Sequence, residues 1–173
     1  LGPGRIYAAP GFHFLETFPG LFLAGLLCGA TYLHLTPLDI KANPQIVVEM
    51  KINVFGVSKT VRDILLEKPV NAGGVWQTWF RNPAESADMD KWHHMSRKLN
   101  LLNSYSFNLR WNAAAGGCNL FSVRRKGTAH NGVLPALGSS WQLSDLSGIS
   151  EESLSDFGIL SISLPGASVE DEK

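Results

Sequence analysis

Cysteine is scarce in this sequence: Cys28 and Cys118 are the only two among 173 residues. A disulfide framework and a paired-cysteine metal site are therefore excluded, and a single disulfide is the most the chain could form. Two buried thiols in a reducing compartment are expected. Long apolar runs are lacking too. The most apolar stretch, "LFLAGLLCGATYLHL" from Leu21 to Leu35, falls short of the ~20 residues that cross a bilayer. It also carries Thr31 and His34, so a buried helix or strand pair is expected instead of a membrane span. There is no phosphate-cradling glycine loop with its Lys-Ser/Thr and no Gly-x-Ser-x-Gly elbow. Internal repeats, heptad runs and low-complexity tracts are absent as well. The first residue is Leu1, not Met, as expected of a chain that starts inside a longer product or was released by a protease.

Acidic residues are missing from one long segment. Between Lys91 and Ser144 the chain holds seven basic residues and no Asp or Glu. From Asp145 to Lys173 the balance reverses, with seven acids against Lys173. The formal net charge is +0, so no global attraction to nucleic acid or anionic membrane is expected. The basic segment can face a polyanion, or it can pair with the acidic segment in the fold or on a neighbouring copy.

With 45% hydrophobic residues, the chain has the size and composition of one domain with a real core. Gly and Pro crowd the first twenty residues ("GPG", "APG", "FPG") and predict an irregular N-terminal arm over 1–20. In "IVVEMKINVFG", Ile46, Val48, Met50, Ile52 and Val54 alternate with Val47, Glu49, Lys51 and Asn53, which predicts a half-buried strand. "VSKTVRDILLEK" can hold a helical turn or two. "VWQTWF" predicts a strand, and "KWHHMSRKLNLL" is ambiguous. In "NSYSFNLRWNAAAGG", Tyr105, Phe107, Leu109 and Trp111 alternate with Ser106, Asn108, Arg110 and Asn112. That ribbon is greasy on one side and wet on the other. "CNLFSVRRKG", "SSWQLSDLSG" and "GILSISL" predict further strands. Together these readings give an all-β fold, an antiparallel β-sandwich over 21–173 with one wet face on each sheet.

Reactive constellations are thin. Asp88, Asp90, His93 and His94 fall together in "DMDKWHH", but adjacent histidines diverge on either a strand or a helix, so no metal site is expected. His13 and His34 sit in apolar surroundings, where satisfied core histidines are the rule. No serine or cysteine shows the base and orienting acid a nucleophile needs. No catalytic residue and no cofactor is expected, and the chain is read as a non-enzyme. Arg124, Arg125 and Lys126 in "FSVRRKGTAHNG" are the candidate nucleic-acid contacts, each able to neutralise one phosphate. Trp76, Trp79 and Trp92 are the candidate interface residues, because aromatic side chains in excess of a core favour interfaces.

From Pro44 onward the order of pieces resembles the jelly-roll capsid proteins of picornavirus-like viruses, especially plant comoviruses and nepoviruses. The likeness rests on "IVVEMKINVFG" leading into "VSKTVRD", on "GVWQTWFRNP" before a polar loop, and on "LLNSYSFNLRWNAAAGG" before a glycine corner. It extends to "SSWQLSDL" and to "LSDFGILSISLPGAS". The resemblance implies a jelly-roll sandwich with an N-terminal arm, serving as a subunit of an icosahedral shell around RNA. Its partners would be other capsid subunits, like or unlike, and genomic RNA, with no membrane. Its location would be the virion, with assembly in the host cytoplasm. A β-sandwich module binding carbohydrate or another ligand is the alternative, and a small β-barrel enzyme using His93 and His94 is a third reading.

Overall fold

Strands and helices alternate along the first two thirds of the chain. The structure, a computed structural model, describes residues 1–12, 22–81, 89–112, 117–124, 134–135, 140–144 and 159–163. The elements run β1 Ile6–Ala8, α1 Ala24–Leu27, β2 Thr31–Tyr32, α2 Pro37–Ala42, α3 Ile46–Glu49, β3 Val54–Gly56, α4 Lys59–Glu67, β4 Thr78–Arg81 and α5 Met89–Lys98. Then follow β5 Tyr105–Asn112, β6 Gly117–Arg124, β7 Leu134–Pro135, β8 Ser140–Ser144 and β9 Ile159–Ser163. A seven-stranded sheet has the order β2-β1-β3-β4-β5-β6-β7, and β8 pairs with β9 separately. The ladders from β2 to β5 are parallel; β5–β6 and β6–β7 are antiparallel.

The expected all-β jelly-roll sandwich is therefore corrected to a mixed α/β fold with a mostly parallel sheet. The physical reason lies in the strands. A parallel strand covered on both faces shows no alternation, and β1, β3 and β4 are only three or four residues long. β4 is read correctly from "VWQTWF", but the signal of β1 and β3 is lost among Gly, Pro and helical residues. The apparent alternation in "IVVEMKINV" is not a strand. Ile46–Glu49 is a helical turn, Val47 and Ile52 are the buried residues there, and Met50 is 43% exposed. Within the stretch expected to be an irregular arm, Ile6–Ala8 form a strand paired on both sides. Cys28, expected to be buried, is exposed.

The helices begin and end where local chemistry directs. Thr36 and Asp39 form a capping box at α2, with Pro37 in its first turn where a missing N–H is harmless. Ser58 caps α4 by accepting from the Val61 N–H. α5 carries Asp90 in its first turn and Arg97 and Lys98 in its last, matching the helix dipole. Asn100 then takes a left-handed φ of 59°. The Leu101 N–H reaches the Ser96 carbonyl and the Asn100 N–H the Arg97 carbonyl, a Schellman stop.

Register shows which residues share a face. Tyr7↔Val54, Ala8↔Phe55 and Phe55↔Trp79 are opposed, so Ala8, Phe55 and Trp79 point to one side. There they join Ile40, Val47, Val61, Leu65, Trp92, Met95 and Leu99 in the main core. Helices α2 to α5 thus supply the cover for that side. α1 lies on the other side, against Tyr7: a Cβ on Gly25 would meet the Tyr7 ring and hydroxyl. Because β1 sits between β2 and β3, the chain leaves β1 in one direction and later returns past it, as in doubly wound sheets. The turn after β1 closes on the cap of α4. Gly11, at φ +79°, leaves no room for a Cβ beside the Ser58 hydroxyl.

Candidate functional site

Past β4 the helix-covered side of the sheet changes character. The register Trp79↔Ser106, Arg81↔Asn108, Ser106↔Arg124 and Asn108↔Ser122 continues that face in polar and basic side chains. α5 roofs β4 with Trp92, Met95 and Leu99 and leaves the polar part of β5 and β6 beside it. A cleft of about 230 Å³ opens there, with Trp79, Trp92 and Leu101 as its apolar wall and Arg81, Arg124, Ser96, Ser106 and Asn108 as its polar wall.

Two arginines, Arg81 and Arg124, line this cleft, and a third, Arg62, lies against its Trp92 wall. Arg62 is fully buried and paired with half-exposed Asp63 at 2.7 Å. Its guanidinium lies 4.9 Å from the centre of the Trp92 ring, and that of Arg81 lies 5.0 Å from it. Trp92 itself stacks on Trp79 with centroids 6.1 Å apart. Cation–π contact of this kind is worth up to about 2 kcal/mol when desolvated, so the indole holds both charged planes in place. Arg81 Nε donates to Asn108 Oδ1, and Asn108 Nδ2 donates to Ser122 Oγ at 2.8 Å. The asparagine is thereby fixed in one orientation.

Arg81 is 5% exposed. Burial, with the like charges of Arg124 and Arg62 adding to it, lowers its pKa to about 10. It remains a cation at neutral pH, in a place where positive charge is already crowded. Guanidinium groups pair with oxyanions through charge-assisted hydrogen bonds.

The residues proposed from sequence are distributed as follows. Arg124 ends β6 and lines the cleft; Arg125 and Lys126 lie outside the described residues. Trp76, Trp79 and Trp92 are all core residues, 1%, 5% and 2% exposed. Trp76 stacks on Phe55 and donates to the Val47 carbonyl. His93 and His94 both lie on α5, and His93 edges the cleft. Among the described residues no three His, Cys, Asp or Glu side chains gather to hold a metal; Asp88 and His13 lie outside them. Among the described residues no helix is long and apolar enough to cross a membrane.

Reasoning from sequence missed Arg62, Arg81 and Ser96. A signal for Arg81 was present. Trp79 and Arg81 stand two apart in "TWFR", so on a strand they share a face, and the wet side of "YSFNLRW" supplies its neighbours. Nothing local marks Arg62, which reaches the cluster from another element.

No protein-family model matches the chain, and no curated protein matches it. Among solved structures it is similar to one described as "Crystal structure of IdnL7", with 16% identity and a TM-score of 0.54. The likeness covers 86% of this chain and 32% of that one, so this chain spans about a third of that protein's length. At this identity the likeness bears on the fold alone, and there it agrees with the α/β reading.

Proposed function

We propose that the chain is a ligand-binding α/β module whose cleft over β4, β5 and β6 takes a small anionic ligand. The observation that carries this reading is the meeting of Arg81 and Arg124 in one partly apolar cleft, with Arg62 behind them. Guanidinium forks match carboxylate and phosphate oxygens, and a charge-assisted hydrogen bond in such a site is about twice as strong as a neutral one. Trp79, Trp92 and Leu101 exclude water from one side and raise the strength of that attraction. The capsid reading drew its support from a jelly-roll order of strands, and the mostly parallel sheet removes that support. The alternative of a β-sandwich module binding carbohydrate or another ligand loses its sandwich in the same way, and the present reading rests on the cleft alone.

Calorimetric titration with inorganic phosphate, pyrophosphate and succinate tests the proposal. At least one anion binds saturably, quenches or shifts the tryptophan fluorescence, and raises the melting temperature by mass action. Added sodium chloride weakens the binding. Arg81→Met weakens it at least tenfold. Absence of saturable binding for all three anions overturns the proposal, as does unchanged affinity in Arg81→Met.

A further inference from the structure

The polar wall of the cleft is not made only of donors. Ser96 Oγ gives its proton to the His93 carbonyl at 2.9 Å. Ser106 Oγ gives its proton to the Arg124 carbonyl, and Ser104 Oγ to that of Trp76. A hydroxyl whose single proton is committed offers a ligand only its lone pairs. Asn108 accepts from Arg81 with its oxygen and gives one amide N–H to Ser122, so its second N–H adds a donor beside the guanidinium groups. Ser104 is 8% exposed, so Ser96 and Ser106, both half-buried, are the accessible acceptors. The cleft therefore pairs guanidinium donors with serine acceptors.

We infer that the ligand is a compact oxyanion that also carries hydroxyl groups, such as a polyol phosphate or a short hydroxy acid. The inference rests on the anion-binding reading of the same cleft. The oxyanion lies against Arg81 and Arg124, and the hydroxyls donate to Ser96 Oγ and Ser106 Oγ. An ammonium group would satisfy the same oxygens by hydrogen bonding. It is disfavoured because the guanidinium groups of Arg81 and Arg124 line the site and like charges repel. Size points the same way. About 230 Å³ is room for the volume of roughly seven or eight waters, below the usual range of sites for drug-sized ligands.

The test compares matched probes on the full chain: glycerol phosphate against propyl phosphate, and glycerate against propionate. The hydroxylated member of at least one pair binds about tenfold tighter or more, the worth of a hydrogen bond or two. In Ser96→Ala and Ser106→Ala that ratio narrows. Equal binding within both pairs overturns this inference while leaving the anion reading standing. A ratio that persists unchanged in both serine variants overturns it too, because the discrimination then lies elsewhere. If no member of either pair binds, and inorganic phosphate, pyrophosphate and succinate also fail, the anion reading falls with it.

Discussion

The sheet has a parallel half and an antiparallel half, and they are stabilised differently. β3 and β4 are short, and Phe55, Gly56, Trp79, Phe80 and Arg81 in them are all buried. On one side they meet α4 and α5; on the other the packing is tight enough that a Cβ on Gly56 would strike the Phe80 ring. β5 and β6 are eight residues each and two-sided. Tyr105, Phe107 and Leu109 are half-buried or exposed on one side, and Ser106 and Asn108 border the cleft on the other. The difference is one of cover. Where helices lie over the sheet, burial supplies the stability. Where, among the described residues, the helices stop, alternation appears and the polar side borders the cleft.

The largest expected effect breaks the parallel half. Trp76 is 1% exposed, its ring is 4.3 Å from that of Phe55, and its indole donates to the Val47 carbonyl at 3.2 Å. Trp76→Ala leaves a cavity and an abandoned carbonyl, and lowers unfolding free energy by about 3–5 kcal/mol. Phe107→Ala, on the half-buried side of β5, lowers it by less than half as much, since less apolar area leaves water there. Urea denaturation of both variants measures this. Equal losses would remove the distinction between the halves.

A smaller effect sharpens the boundary between them. Arg81 belongs to the covered strand β4 but leans on Asn108 of the uncovered strand β5. Asn108→Asp places a fixed carboxylate where a ligand's charge would otherwise be recruited. Its expected outcome is an anion affinity reduced at least tenfold, with stability changed by no more than about 1 kcal/mol, because an ion pair replaces a hydrogen bond. The pKa of Arg81, now about 10, rises toward its ordinary value. Titration calorimetry and thermal unfolding of the same sample read the two quantities separately. Retained affinity would show that Arg81 does not hold the ligand.

What could be seen from sequence follows the same division. β5, β6, β8 and β9 were legible, because each is a run of five to eight residues in which apolar and polar residues mostly alternate. So was the wet side of β5, now the wall of the cleft. β1 and β3 were not, because three-residue strands have no period, and Ile6–Ala8 stands among turn residues. In "VSKTVRDILLEK" the Ser58 cap and the buried Val61 and Leu65 are visible once a helix is sought, but Arg62 in the same buried stripe disguises it. The arginine cluster joins Arg62, Arg81 and Arg124 from three elements, and only the folded sheet brings them together.

The smallest effect lies on the surface of the covered half, where burial is no help and a single charge is at work. Asp39 Oδ2 accepts from the Thr36 N–H at 2.8 Å and from the Thr36 hydroxyl at 2.7 Å. Those two bonds, the hydroxyl's first, hold its pKa below the ordinary carboxylate value, with His34 adding a little. A carboxyl whose pKa is lowered on folding contributes stability above its unfolded value of about 4, and that contribution is lost as pH falls through the folded value. Asp39→Asn keeps an acceptor for Thr36 but removes the charge from the first turn of α2. The variant is therefore modestly less stable than the parent at neutral pH, and the two converge in acid once pH falls below the lowered folded value of Asp39, where both caps are neutral. Denaturant midpoints at neutral and acid pH measure the convergence. A difference that persists unchanged into acid would assign the cap's contribution to hydrogen-bond geometry instead of charge.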